Sequence, residues 1–171
     1  HGTFRTVGNV DFGPEAQRYE DEAFEQWFGH WLKGEDTGLD QVPRAQIFVM
    51  GANKWRAEQE WPLARTKYTP FYFHSNGSAN SVTGNGGLSL QPPGNEPPDR
   101  FAYDPKYPTP TLGGCTCCNP ELVSWGAYDQ RPVEYRNDVL VFTSEPMEEE
   151  LEVTGPVTVK LHASTDGRDT D

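Results

Sequence analysis

The chain has 171 residues, with 14 Lys and Arg against 26 Asp and Glu and a formal net charge of −12. This acidic balance argues against nucleic acid as a partner, because phosphate binding needs a basic face, and against docking on an anionic membrane surface. The 15 prolines and 17 glycines indicate a globular chain rich in turns. No apolar run approaches the roughly 20 residues needed to cross a bilayer.

Residues 14–33 have the pattern of an amphipathic helix. Pro14 suits the first helical position, and Gly34 follows the last apolar residue. Such a helix needs a large partner surface, and residues 35–65 offer one short strand at 46–50, so we expect its partner to lie outside this chain. The apolar stripe, at steps of three and four residues, consists of Ala16, Tyr19, Ala23, Phe24, Trp27, Phe28, Trp31 and Leu32.

From residue 66 onward the chain shows short β-like runs between turn signals and no helical periodicity. The run at 157–164, "VTVKLHAS", alternates apolar and polar residues and predicts a half-buried strand of an antiparallel sheet. We therefore expect a helix-bearing α/β segment that ends near residue 65, followed by an incomplete all-β sandwich. The other predicted strands are "YTPFYFH" at 68–74, "RFAYD" at 100–104 and "DVLVFTS" at 138–144.

Three cysteines lie close together at Cys115, Cys117 and Cys118. An odd, clustered set is not a disulfide framework of the kind that small secreted domains use. Three soft ligands could hold zinc or copper(I), but a closed zinc site takes four ligands, and the sequence has no second Cys or His cluster. We therefore expect no metal. The oxygen-rich stretch 166–171 lacks the closing Glu of a twelve-residue calcium loop.

Several segments in one order resemble a single family. The resemblance extends over essentially the whole chain, and the ordered set is more specific than any one of its motifs. The segments are "FGHWLKGEDTG" at 28–38, "IFVMGANKWRAEQEWPL" at 47–63, "YTPFYFHSNGSANS" at 68–81, "YDPKYPTPTLGG" at 103–114, "DQRPVEYRNDVLVFTSEPMEEELEVTGPV" at 129–157 and "STDGRDTD" at 164–171. The chain resembles the cocaine-esterase-like (CocE/NonD) hydrolases, which are related to the Xaa-Pro dipeptidyl-peptidases and the α-amino-acid ester hydrolases.

The resemblance implies a mixed fold and an internal fragment of a longer enzyme. Residues 1–65 would be the C-terminal portion of an α/β-hydrolase domain with its junction, and residues 66–171 the N-terminal portion of a jelly-roll, galactose-binding-like domain. Members of the family cleave esters or amides with a Ser-His-Asp triad. The resemblance implies no cofactor.

The resemblance gives His1 the position of the triad histidine, shortly before the last hydrolase helix. A general base must lie within hydrogen-bond reach of the nucleophile and be oriented by a carboxylate, and the family's serine and aspartate are absent from this chain. The alternative for His1 is a tag remnant or a solvated loop histidine. His30, His74 and His162 are predicted to be structural or solvated.

The resemblance also places the loop after Gly113-Gly114 near the active-site cleft. Cysteine behaves as a small hydrophobic residue, so Cys117 and Cys118 could line the acyl pocket of the parent enzyme. A plain buried loop is the alternative, and the sequence favours neither.

The leading functional hypothesis is therefore a serine acyl hydrolase (esterase, acylase or peptidase) that acts through an acyl-enzyme on a small-molecule ester or amide. The chain alone is expected to be inactive. The competing class is a non-catalytic β-sandwich module that binds carbohydrate or protein, and within the enzymes an Xaa-Pro dipeptidyl-peptidase is the alternative. Self-association of the full-length protein and its compartment, cytoplasmic or periplasmic and secreted, stay open.

Overall fold

The computed structural model describes residues 4–116, 119 and 122–168. Within these ranges, three two-stranded antiparallel sheets and two α-helices are joined by long irregular connections. The elements in chain order are strands β1 (Thr6–Val7) and β2 (Val10–Asp11), a 3-10 turn (Pro14–Ala16), helix α1 (Glu20–Phe28), a π-helical turn (Gly29–Lys33), a 3-10 turn (Leu39–Gln41), strands β3 (Ala45–Val49), β4 (Lys54–Glu58), β5 (Tyr72–His74) and β6 (Gly87–Ser89), and helix α2 (Arg131–Glu134). None of the helices in these ranges is long and apolar enough to cross a membrane.

The predicted helix over 14–33 is confirmed in its second half and interrupted in its first. The chain is extended at Gln17 and Tyr19, between the 3-10 turn and α1. The interruption follows from contacts of this segment with β4: the guanidinium of Arg18 stacks on the Trp55 ring at 3.8 Å, and Trp55 Nε1 donates to the Glu15 carbonyl at 2.7 Å. A continuous helix would satisfy the Glu15 carbonyl internally, so these contacts replace one helical turn.

Gly34 ends the π-helical turn in a left-handed conformation, as the sequence predicts for a residue after a helix. The chain then folds back along α1. Thr37 Oγ1 donates to the Gln26 carbonyl at 2.8 Å, and Gln26 Nε2 donates to the Thr37 carbonyl at 3.0 Å. The return segment therefore covers one side of α1 and leaves the aromatic side open.

The apolar stripe along α1 and the following π-helical turn packs against no other element within the part of the chain that the structure describes. Trp31 is 62% exposed and Leu32 77% exposed. Trp27 and Phe28 are also exposed. The expectation that the stripe is left unpacked by this chain is confirmed. Its rings contact mainly each other, as in the Trp27–Trp31 pair at 6.0 Å.

The β3–β4 hairpin contains the strand predicted at 46–50 and a second strand that the sequence pattern missed. Phe48 lies opposite Trp55 in the register, and their rings meet edge to face at 5.4 Å. On the same hairpin, Arg56 donates two hydrogen bonds to the Glu152 carboxylate, at 2.8 and 2.9 Å. Close by, Thr66 Oγ1 donates to the Thr154 carbonyl at 3.3 Å. The hairpin is therefore tied to both earlier and later parts of the chain.

Strands β5 and β6 flank a buried segment that includes Ser75, Ala79 and Ser81. The loop between them folds back on itself and buries Ala79 completely. The loop pairs with the later chain through an isolated bridge between Asn80 and Leu140, and Gly87, the first residue of β6, bridges to Thr143. The predicted strand at 138–144 is reduced to these bridges.

Two other strand predictions are wrong in this structure. The segments 100–104 and 157–164 have no ladder of hydrogen bonds. In the second segment Val157 is 78% exposed, and Val159 and Leu161 are exposed as well. Alternation of apolar and polar residues predicts a strand only where a neighbouring strand accepts its backbone hydrogen bonds, and none does so among the described residues.

Candidate active-site region

The first feature of the candidate site is a short hairpin that follows His1. Strands β1 and β2 pair Thr6 with Asp11 and are joined by a two-residue Gly-Asn turn. Arg5 closes the open end: its Nε donates to Asp11 Oδ1 at 2.7 Å and a terminal nitrogen to Oδ2 at 2.5 Å. These hydrogen bonds lower the pKa of Asp11 to about 2. The carboxylate is therefore charged at neutral pH, and the bidentate pair fixes the hairpin.

The second feature is the stem of the loop that carries the cysteines. Gly114 and Gly126 form an antiparallel bridge, in which Gly114 N donates to the Gly126 carbonyl at 2.8 Å and Gly126 N to the Gly114 carbonyl at 3.0 Å. Two residues nearer the loop on each side, Thr116 Oγ1 donates to the Ser124 carbonyl at 2.5 Å. Cys115 lies in this stem, exposed and with a free thiol. Hydrogen bonds therefore hold the two ends of the loop together.

The hairpin and the stem are docked on each other. Gly8 bridges to Ala127, and Asn9 N donates to the Ala127 carbonyl at 2.7 Å. Beside this contact, the rings of Phe4 and Trp125 meet edge to face at 5.4 Å. The structure thus brings together two segments that are about 120 residues apart in sequence.

The three predicted site residues, His1, Cys117 and Cys118, lie outside the described residues. Their neighbours in the chain are described: Phe4 is three residues after His1, and Thr116 directly precedes Cys117. The structure places these neighbouring segments in the docked hairpin and stem. The roles assigned to the three residues stay predictions.

Sequence reasoning missed the docking itself. The Gly8-Asn9 pair between two short apolar segments is a hairpin signal that could have been read. Nothing in the local sequence indicates that this turn pairs with Ala127. Gly113 is buried and left-handed, with φ +70°, a conformation that favours glycine.

A second cluster imitates a catalytic triad. His74 Nδ1 lies 2.8 Å from Glu96 Oε1, and Ser89 Oγ lies 3.0 Å from His74 Nε2. The same Nε2 lies 2.9 Å from the Gln91 carbonyl oxygen. A carbonyl oxygen can only accept, so Nε2 carries a proton and has no free lone pair with which to take one from Ser89.

The hydrogen bond between His74 and Glu96 also shifts the pKa values of both residues. The hydrogen bond to Glu96 is the main cause that raises the pKa of His74 above its usual value, and the same bond lowers the pKa of Glu96. Both ring nitrogens of His74 are engaged, Nδ1 with Glu96 and Nε2 with the Gln91 carbonyl, so neither is free to act as a general base. The predicted structural role of His74 is confirmed.

The acidic stretch at 144–152 and the cysteine stem do not form a metal site in the described ranges. No group of three or more His, Cys, Asp or Glu side chains among them has the geometry to hold a metal ion. In the acidic stretch, Glu152 instead accepts hydrogen bonds from Arg56, which lower its pKa to about 2.

Comparison with known protein families identifies the family of this chain. Residues 37–171 match the family described as the X-Pro dipeptidyl-peptidase C-terminal non-catalytic domain. The chain belongs to that family, whose domain is a β-sandwich. The β-rich part of the predicted fold is confirmed, while the α/β-hydrolase assignment of residues 1–65 and the boundary near residue 65 stay predictions.

The individual proteins that the chain resembles are named as esterases. The chain is 43% identical over 145 residues to the cocaine esterase of a Rhodococcus species, a match that covers 85% of this chain and 25% of that protein. It is 26% identical over 152 residues to a provisionally named serine esterase of Mycobacterium bovis, covering 84% of this chain and 21% of the relative. A Mycobacterium tuberculosis relative has the same values. The resemblance to cocaine-esterase-like hydrolases is confirmed, and the chain spans about a quarter of the length of these relatives.

Proposed function

We propose that this chain is part of a serine acyl hydrolase that cleaves carboxylic esters or amides through an acyl-enzyme. The observation that carries the proposal is the 43% identity to a cocaine esterase over 85% of the chain. In this proposal residues 1–65 complete an α/β-hydrolase domain, and residues 66–171 begin a jelly roll. The nucleophilic serine and the triad aspartate belong to the remainder of the parent enzyme.

His1 is the general base of the proposed reaction. It takes the proton of the serine hydroxyl as the oxygen attacks the substrate carbonyl, and it returns that proton to the leaving group as the tetrahedral intermediate collapses. Water then repeats the sequence on the acyl-enzyme and regenerates the serine. Support comes from the hairpin whose first strand begins five residues after His1, because it is docked on the stem of the cysteine loop.

Cys117 and Cys118 are the proposed wall of the acyl pocket. The docking of their stem on the hairpin supports this, since it brings residues that flank the cysteine pair in sequence beside the segment that follows His1. Thiols of this size offer a small apolar surface and only weak hydrogen-bond donors. Their expected role is to select the acyl group, while oxyanion stabilisation requires stronger donors from elsewhere.

The test of the reaction class uses the full-length protein and p-nitrophenyl acetate. His1→Ala should lower kcat by at least about 10³-fold, because the serine loses its base. His162→Ala is the control: this histidine is exposed, and its removal should leave turnover within threefold. Full activity in the His1→Ala protein would refute the assignment of the base, and a wild-type protein without ester or amide turnover would refute the class.

The test of the pocket uses acyl-chain selectivity. Cys118→Phe should fill the pocket and penalise bulky acyl groups by about 1–3 kcal/mol while sparing acetyl esters. Cys118→Ser is the control of nearly equal volume, and its acyl-chain profile should stay that of the wild type. An unchanged profile in the Phe variant would return the loop to a structural role.

A non-catalytic binding module is the second candidate, favoured by the description of the matched family as non-catalytic. The two candidates are compatible if the domain is an accessory part of the enzyme. The isolated 171-residue chain should show no ester turnover, since it would hold one member of the triad. Xaa-Pro peptidase activity is distinguished by assaying the full-length protein with an Xaa-Pro p-nitroanilide beside the ester.

A further inference from the structure

Two Asn-Gly pairs lie in the loop between β5 and β6, Asn76-Gly77 and Asn85-Gly86. An Asn-Gly pair is a place where a polypeptide can modify itself. The main-chain nitrogen of the glycine can attack the side-chain carbonyl of the asparagine, because glycine has no Cβ to hinder the approach. Both asparagines are exposed, so exposure does not separate them, but the contacts around the two pairs differ.

We propose that Asn76 is a site of spontaneous deamidation, that the Ser75 hydroxyl slows the reaction there, and that Asn85 is protected. The Gly77 nitrogen bonds to Asn76 Cγ, and its proton passes to the side-chain nitrogen, which leaves as ammonia. Water then opens the succinimide ring at either carbonyl. The products are aspartate and isoaspartate, in which the main chain runs through Cβ. This modification is independent of the proposed hydrolase function.

The Asn76 pair is open to this reaction. The Asn76 side chain forms no hydrogen bond with the described residues, and only the main-chain N–H is engaged, with Asn85 Oδ1 at 3.4 Å. A Cβ added to Gly77 would be in ordinary van der Waals contact, with Pro97 Cγ the nearest atom at 3.4 Å. Neither the side-chain carbonyl nor the glycine is therefore enclosed by its neighbours.

The Asn85 pair is held from both sides. Asn85 Oδ1 lies 3.1 Å from Ser75 Oγ, and Asn85 N donates to the Ser78 carbonyl at 2.8 Å. A Cβ added to Gly86 would lie 1.9 Å from the Val141 carbonyl oxygen, so the main chain of a later segment packs directly against this glycine. Ring closure requires the side-chain amide to turn and the glycine nitrogen to move toward it. The packing prevents both movements while the loop is closed.

The Ser75 hydroxyl restrains the nucleophile of the Asn76 reaction. Ser75 Oγ accepts a hydrogen bond at 2.9 Å from Gly77 N, the nitrogen that must attack. The hydroxyl is itself fixed, because Ser75 is buried and donates to Asp99 Oδ1 at 2.6 Å. The bond from Gly77 must open before the nitrogen can lose its proton and turn toward Asn76. Deamidation therefore proceeds from an open form of the loop.

The isoaspartate product should loosen the same loop. It adds one carbon to the main chain between Ser75 and Gly77, and both of these residues are held in place. Ser75 N donates to Glu96 Oε2 at 3.0 Å, and Gly77 N donates to Ser75 Oγ. A longer main chain cannot keep both hydrogen bonds at these distances. The new carboxylate also adds negative charge next to a residue that already contacts Glu96 and Asp99.

The experiment incubates the folded full-length protein at mildly alkaline pH and follows both asparagines by peptide mass spectrometry. Asn76 should deamidate at least about tenfold faster than Asn85, since only the Asn85 pair is enclosed. The denatured protein is the matched control, because it keeps the sequence and removes the contacts; there the two rates should agree within about threefold. Equal rates in the folded protein would overturn the inference, as would the same rate difference in the denatured chain.

Variants test the role of the hydroxyl. Ser75→Ala should speed deamidation of Asn76 in the folded protein at least about tenfold, because Gly77 N is released. Ser78→Ala is the control: its side chain is exposed, and the rate should stay within about threefold of wild type. A wild-type rate in Ser75→Ala would refute the restraint by the hydroxyl. If that variant fails to fold, the comparison of folded with denatured wild type decides the inference.

The effect on the loop is measured on the modified protein itself. Ion exchange separates the deamidated form by its additional negative charge, and hydrogen exchange is then read at the Ser81 amide, which donates to the Val139 carbonyl at 2.7 Å. The isoaspartate form should exchange this amide at least about tenfold faster than the unmodified protein. Asn76→Gln should remain unmodified and keep the slow exchange. Equal exchange in the isoaspartate and unmodified forms would refute the loosening.

Discussion

Ser75 holds the loop between β5 and β6, and its substitution by alanine gives a quantitative test of that structure. The hydroxyl is buried and donates to Asp99 Oδ1 at 2.6 Å. It also accepts from the backbone N–H groups of Gly77 at 2.9 Å and Ser78 at 3.1 Å. Asp99 Oδ1 in turn accepts from Ala79 N at 2.7 Å. One hydroxyl therefore links the loop to a carboxylate 24 residues away.

The expected cost of Ser75→Ala follows from these bonds. A hydrogen bond to a charged group contributes about 1.5–3 kcal/mol, and each neutral bond about 0.5–1.5 kcal/mol. Water can replace part of the loss at the two amides, because Ser78 is exposed and Gly77 half-buried. We therefore expect the loop to open about 3 kcal/mol more easily, which corresponds to about 10²-fold faster exchange of its amides.

Hydrogen exchange of the full-length protein, read at the amide of Ser81, measures this opening. That amide donates to the Val139 carbonyl at 2.7 Å and is not itself bonded to Ser75. Ser78→Ala is the control, because its exposed hydroxyl forms none of the bonds in the Ser75 network among the described residues; it should change exchange by less than threefold. Equal exchange rates in the two variants would refute the idea that the Ser75 hydroxyl holds the loop.

Three further predictions concern charge and exposed apolar surface. His74 should titrate above about 6.5 in an NMR titration, and Glu96→Gln should lower the midpoint of that titration. The protonated ring contributes its full stabilisation below about pH 6.5, and this contribution is lost as the pH rises through the raised pKa of His74. Glu152 should titrate near 2, so its contribution is present above its ordinary pKa and lost only as pH falls toward 2. Trp31→Ser should reduce the binding of a hydrophobic dye to the isolated chain, because Trp31 is exposed. Undiminished dye binding would show that the dye binds an apolar surface other than this one.

Local patterns predicted the elements whose causes are local. The helix could be recognised from the spacing of Trp27 and Trp31, and its end from Gly34. Its interruption at Gln17 could not, because the cause is the side chain of Trp55 on another element. The strand predicted at 157–164 is not formed, because alternation is a property of one segment, whereas a strand also needs a neighbouring strand to accept its hydrogen bonds.

The candidate site could be predicted only in part. The resemblance to a known family pointed to His1 and to the cysteine pair, and no spacing rule would have done so. The docking of Gly8 on Ala127 joins segments about 120 residues apart, and hydrophobic periodicity contains no information on such pairings. The His74 cluster shows the converse limit, since its residue types suggest a triad and only the Gln91 carbonyl excludes it.

The contacts of the β3–β4 hairpin also bear on how this domain could be exchanged between relatives. The family match begins at residue 37, yet Trp55 is held by Arg18 and by the Glu15 carbonyl, upstream of that point. A chimera joined at residue 37 would set this indole against a foreign surface, while Arg56 on the same strand still reached Glu152. Recombination between relatives should therefore succeed more often at a crossover before residue 15, where Trp55 keeps its partners.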